Sequence, residues 1–165
     1  MLNARGEAFI ADLDGANIYN SITSAKRLNE VTSAVGTPKW MSPEIRGAAW
    51  LPDFNTELPK TDIFSIGLIA CFCIDTAEFN HKLSPILSEY RTNMTKQEVL
   101  DHLKKLEKEL LAYLEDFRLR NLNSPNSLSF YYKIKTMLSF SPCARPSIQQ
   151  LYEDFPVLSN NLVDL

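Results

Sequence analysis

Thr95-Lys96-Gln97-Glu98 opens the segment that most constrains how this chain folds. In such a capping box the Thr hydroxyl and the Glu carboxylate satisfy backbone N–H groups left free at a helix start. Behind it, Val99, Leu103, Leu106, Leu110, Tyr113 and Phe117 recur at steps of four and three, which is one face of an α-helix. The spacing predicts a helix over 95–120, and its apolar stripe needs a covering surface. Fewer than three full heptads repeat, which favours packing on its own domain. The alternative is a partner-docking or coiled-coil face over 95–120.

Around this helix the chain reads as a short β element followed by helices. Residues 8–11, Ala-Phe-Ile-Ala, read as a buried strand, and Arg5-Gly6-Glu7 as a tight turn. Met1-Leu2 then becomes the tail of a preceding strand, so the chain begins inside a β-hairpin. Residues 14–38 have no clean period and form a long loop, a kind usually kept for function. Residues 61–74 follow Pro59 and predict a buried helix capped near Thr61 or Asp62. Asn123-Ser124-Pro125-Asn126 reads as a loop. Residues 128–140 predict a helix ended by Ser141-Pro142, and Pro146 opens a last helix with Ile148, Leu151, Tyr152 and Phe155 as its buried stripe.

Composition narrows the function classes. The chain has 165 residues, enough for one domain with a core. Its net charge of -3 argues against nucleic-acid binding, which calls for a basic surplus. The most apolar stretch, residues 63–74, is too short to span a bilayer and holds Ser65 and Gly67, so no membrane partner is expected. Cys71, Cys73 and Cys143 have no metal-ligand spacing, and Cys71 and Cys73 read as buried thiols. Reduced thiols and an N-terminus without a signal-peptide pattern place the expected compartment in the cytoplasm or nucleus.

Four short segments carry chemistry by their order. Asp12 in Ile10-Ala11-Asp12-Leu13-Asp14-Gly15 follows the strand, where a carboxylate can hold Mg²⁺ against phosphate oxygens or simply close an Asx turn. Val35-Gly36-Thr37-Pro38-Lys39-Trp40-Met41-Ser42-Pro43-Glu44 fixes a defined backbone course anchored by an aromatic. Asp62 in Lys60-Thr61-Asp62-Ile63-Phe64-Ser65-Ile66-Gly67 can accept backbone N–H groups at a helix start. Arg145 in Cys143-Ala144-Arg145-Pro146-Ser147 can pair with a buried carboxylate.

In this order the segments resemble the second half of a eukaryotic protein kinase domain. Asp12-Leu13-Asp14 falls where that family has Asp-Phe-Gly, and Ser42-Pro43-Glu44 where it has Ala-Pro-Glu. The run from Asp62 to Gly67 is similar to Asp-x-Trp-Ser-x-Gly, and Arg145-Pro146-Ser147 to a late Arg-Pro-Ser. Gly36-Thr37-Pro38 beside Lys39-Trp40-Met41 resembles the tyrosine-kinase-like group of Ser/Thr kinases. The resemblance implies a mainly α fold: a kinase-like C-lobe over 1–156, with a short N-terminal β-hairpin and an inserted long amphipathic helix, then a tail over 157–165.

It also implies roles. Asp12 would bind Mg²⁺ and, through it, ATP, and Leu13 would fill the apolar slot beside it. Thr37 and Trp40 would lie in the loop that receives a protein substrate. Glu44 would form a buried ion pair with Arg145, and Asp62 would hold the backbone of a catalytic loop. Residues 15–36 would be an activation loop with Ser21, Thr23, Ser24, Thr32 and Ser33 as phosphosites.

The departures bear on activity. Asp14 stands where the family has Gly, and Phe64 where it has Trp. An alternative register pairs Asp14 with Gly15 but loses the intervening apolar residue. The region between residues 74 and 128 is longer than the family usually has, and the 95–120 helix accounts for the excess. The sequence holds no Gly-rich phosphate loop, no strand Lys and no catalytic-loop Asp and Asn. The expectation is therefore that Met1 is an internal methionine of a longer protein carrying the N-lobe. That protein would transfer phosphate from ATP to Ser or Thr, while these 165 residues alone would be inactive. Alternatives are a pseudokinase or regulatory binding module, to which Asp14 points, and an inert fragment.

Overall fold

The structure is a computed structural model that describes residues 37–47, 59–91, 93–121 and 125–154. A 3₁₀ turn, Pro38–Trp40, leads into helix α1, Pro43–Gly47. Helix α2, Pro59–Ile74, is followed by a continuous helical run: α3 (Thr76–Glu78), a π turn (Phe79–Leu83) and α4 (Ser84–Ser88). Helix α5 covers Lys96–Arg120 and α6 covers Pro125–Met137. A 3₁₀ turn, Pro142–Ala144, precedes α7, Ile148–Asp154.

This corrects the expected fold. The described residues form helices and turns only, with no strand or sheet among them. The expected β-hairpin at residues 1–11 lies outside the described residues. The long helix packs on its own domain, as its spacing favoured. Val99, His102, Leu103, Leu106, Leu110, Tyr113, Leu114 and Phe117 are all buried, and most join Phe64, Leu68, Phe79, Leu83, Leu87 and Ile134 in one core. The apolar stripe is thus covered by the chain's own α2, α4 and α6.

The start of α5 follows from its sequence. Thr95 Oγ1 accepts from Glu98 N (3.3 Å), and Thr95 N donates to Glu98 Oε2 (2.7 Å). Helix α6 begins earlier than its apolar pattern suggests. Pro125, expected in a loop, occupies the first helical position, where its missing N–H costs nothing.

Helix α2 is two-sided. Ile63, Phe64, Leu68 and Cys71 are buried, while Ile66 and Ile69 are 41% and 47% exposed. Cys73 is exposed, so the expectation of two buried thiols holds for Cys71 alone. Burial pushes the Cys71 thiol up to about 12, so it stays protonated and inert. The last helix also departs from its predicted stripe. Leu151 is buried against Ile63 and Met137, but Ile148 and Tyr152 are exposed, and Phe155 lies outside the described residues.

Gly67 sets how closely α2 meets α6. A Cβ there would lie 2.9 Å from Leu138 Cγ and Cδ2 and 3.2 Å from Met137 Cβ. Gly67→Ala is therefore expected to destabilise the chain by about 1–3 kcal/mol, the usual cost of overpacking. Urea denaturation checks this. An unchanged midpoint would show that the helices can separate freely.

No described helix is long and apolar enough to cross a membrane.

Candidate functional site

The described site is the 37–47 segment and what holds it in place. Pro38 forces a tight 3₁₀ turn in which Trp40 N donates to Thr37 O (3.0 Å). Thr37 is exposed, and Trp40 is half-buried. The Trp40 ring stacks on Phe79 with centroids 5.8 Å apart and meets Phe72 edge-on at 6.0 Å. Ser65 Oγ donates to Trp40 O (2.8 Å), fastening the turn to α2.

Glu44 and Arg145, 101 positions apart, come together with no side-chain exposure. Arg145 Nη2 donates to Glu44 Oε2 at 2.7 Å, and Nη1 bonds Oε1. The fork also donates to Ser139 O (2.8 Å) and Lys60 O (2.7 Å), and its guanidinium carbon lies 4.9 Å from the Phe64 ring centroid. Lys60 Nζ donates in turn to Arg145 O (2.6 Å). A bidentate pair with its remaining donors satisfied is the arrangement that can offset the loss of hydration on burial. It joins the 37–47 segment to the start of α2 and the turn before α7.

Asp62 lies in the first turn of α2, exposed, with its carboxyl held above the usual carboxylate range by partial burial. The other site residues expected from sequence, Asp12, Leu13, Ser21, Thr23, Ser24, Thr32 and Ser33, lie outside the described residues. No group of three or more His, Cys, Asp or Glu residues among the described ones could hold a metal ion.

Sequence reasoning missed a second buried cation. Arg46 is fully buried and pairs with no carboxylate among the described residues. It donates to Met41 O (3.1 Å), Leu87 O (3.0 Å) and Pro38 O, drawing both ends of the loop onto α4. Burial lowers its pKa to about 10. Nothing in a lone Arg after Glu44-Ile45 marks it as buried, because its acceptors are backbone carbonyls.

Arg46 Nη1 also contacts His102 Nε2 at 3.2 Å. Arg can only donate, so Nε2 accepts and the imidazole proton sits on Nδ1. That buried Nδ1 has no hydrogen-bond partner, and Glu89 Oε2 stands 3.9 Å away. Burial first, and then Arg46, lower the His102 pKa to about 4. The unfolded chain, with His near 6.5, therefore takes up the proton first. Stability is expected to fall as pH drops from about 6.5 toward 4, by up to about 3 kcal/mol. Urea titrations at pH 7.5 and 4.5 check this, with His102→Gln flattening the dependence. An equally steep loss in that variant would assign it to other groups.

Over 142 residues the chain is 30% identical to Serine/threonine-protein kinase 10-A of Xenopus laevis, a stretch covering 86% of this chain and 13% of that protein. The chain thus spans a small part of that relative's length. No family model and no solved structure matches it. The likeness is partial and kinase-like.

Proposed function

We propose that this chain is the helical C-terminal part of a Ser/Thr protein-kinase-like domain, and that its 37–47 segment is the platform receiving a protein substrate. The observation that carries the reading is the buried Glu44–Arg145 pair. It locks an exposed Thr37-Pro38 turn to helices distant in sequence, as a loop does when it must present a fixed backbone to a peptide. The partial similarity to a Ser/Thr kinase supports the same reading.

In the intact protein, Asp12 would hold Mg²⁺ on the ATP phosphates, and an N-terminal lobe would supply the remaining nucleotide contacts. Phosphate on Ser21, Thr23, Ser24, Thr32 or Ser33 would order the segment before Thr37 by pairing with Arg side chains. Asp14, in place of Gly, favours a second reading as a pseudokinase that binds partners without transferring phosphate.

Transfer of the γ-phosphate from ATP to a generic Ser/Thr protein substrate by the full-length gene product separates the two. Activity abolished by Asp12→Asn supports the kinase. Absent transfer with retained Mg²⁺–ATP binding supports the pseudokinase. The 165-residue chain alone is expected to transfer none, and transfer by it would overturn the assignment of catalysis to residues beyond it.

A further inference from the structure

The ammonium of Lys39 sits among three aromatic rings. Its Nζ lies 5.1 Å from the Trp40 ring centroid, 5.2 Å from Phe79 and 5.5 Å from Phe72. Phe72 stands nearly perpendicular to both other rings, at 84° to Trp40 and 83° to Phe79, while Trp40 and Phe79 lie within 16° of parallel. The three rings pack on one another, with centroids 5.6–6.0 Å apart, and the Lys39 ammonium lies over the cluster they form. The other cation–ring contacts among the described residues involve one ring each: Arg46 with Tyr90, Lys135 with Tyr131 and Arg145 with Phe64.

The polar side of this contact is weak. Lys39 Nζ reaches a single hydrogen-bond partner among the described residues, Asn80 Oδ1 at 3.3 Å on the exposed side, and no described carboxylate pairs with it. Three rings and almost no acceptors suit a cation with few N–H donors. Aromatic faces bind quaternary ammonium groups through the ring quadrupoles. An unmodified ammonium keeps three N–H groups that the rings satisfy poorly.

We propose that the Trp40–Phe72–Phe79 cluster is a methylammonium site and that Lys39, when methylated, is the group it holds. The modification needs a sulfonium methyl donor and a transferase acting on this chain. At each step the ammonium first loses one proton to base, the freed lone pair forms the N–C bond as the donor's S–C bond breaks, and the donor leaves as a neutral thioether. After three transfers the side chain keeps one positive charge and exchanges its N–H groups for methyls that face the rings. Methylation would then clamp the Pro38–Trp40 turn more firmly onto α2 and the π turn. The proposal rests on this geometry alone and stands apart from the kinase reading.

The test uses the full chain with exposed Cys73 and Cys143 replaced by Ser, leaving the inert Cys71. Lys39→Cys is alkylated to carry an aminoethyl group, a trimethylammonioethyl group, or its neutral dimethylbutyl isostere. The trimethylammonium form is expected to melt about 2–4 °C above both others, and Phe72→Leu is expected to erase most of that gain. A neutral isostere equally stable, an aminoethyl form more stable, or a gain unaffected by Phe72→Leu would each overturn the proposal.

A second measurement spares the fold any substitution. Lysines of the native chain are dimethylated reductively with ¹³C-formaldehyde. The Lys39 methyl signal, identified by its loss in Lys39→Arg, is expected upfield of the other lysines through ring currents. A signal at the position of exposed lysines would overturn the proposal.

Discussion

Glu44→Ala is expected to lower folding stability by about 3–5 kcal/mol, because it leaves the Arg145 guanidinium buried without a counter-charge. Both side chains are fully enclosed, so water cannot replace the lost carboxylate. The Ser139 and Lys60 carbonyls would still accept from Arg145, but neither carries charge. Natural domains hold only about 5–15 kcal/mol in total, so the variant would sit close to unfolding at ordinary temperature. Arg145→Lys is expected to rescue little. A Lys ammonium is a point donor and cannot reach two carboxylate oxygens and two carbonyls at once. Urea denaturation of the single variants and the Glu44→Leu, Arg145→Met double variant checks both points. The double variant is expected to lose less than the sum of the singles. A loss below about 1 kcal/mol for Glu44→Ala would mean that the pair is open to solvent.

Phe79→Ala is expected to be as severe, at about 3–5 kcal/mol. Phe79 is fully buried at the first position of the π turn. It stacks on Trp40 and meets Phe72 and Tyr113 edge-on at 5.6 and 6.4 Å. Truncation opens a cavity where four elements converge, and the ring contacts are lost with it. The Pro38–Trp40 turn loses its floor at the same time, so Trp40 fluorescence should shift toward that of solvated indole. Phe79→Leu keeps most of the volume and should cost less. Equal losses for the two variants would place the energy in the ring contacts rather than in cavity filling.

These two sites differ in how far sequence exposes them. The Glu44 and Arg145 partnership was expected because each residue lies in a short segment whose neighbours, Ser42-Pro43 and Pro146-Ser147, carry a recognisable order. Phe79, Leu83, Ile86, Leu87 and Tyr90 recur at helical spacing and are all buried, so this apolar face is present in the sequence although no helix was predicted there. What the spacing does not report is the π turn that begins at Phe79. Arg46 was hidden for a different reason. A cation satisfied by Pro38, Met41 and Leu87 carbonyls leaves no complementary charge to find in the sequence.

Helix α5 was the most legible element, since its cap and stripe are both local. What locality could not tell was its place. The stripe was expected to pack on its own domain, and the partners it meets there, Phe64, Leu68 and Phe79 against Leu106, Leu110 and Tyr113, come from distant elements. At α7 the apolar pattern misled instead. Ile148 and Tyr152 match the helical spacing yet face outward, and Leu151 alone supplies the buried anchor among the described residues.

The kinase-like reading is tested most directly by the thermal stability of the full-length gene product with and without Mg²⁺–ATP. A ligand that binds the native state at a hundred times its dissociation constant adds about 2.7 kcal/mol, a shift that melting measurements resolve. The prediction is a rise that requires both Mg²⁺ and nucleotide and is lost in Asp12→Asn. No rise, or a rise of equal size in Asp12→Asn, would contradict it.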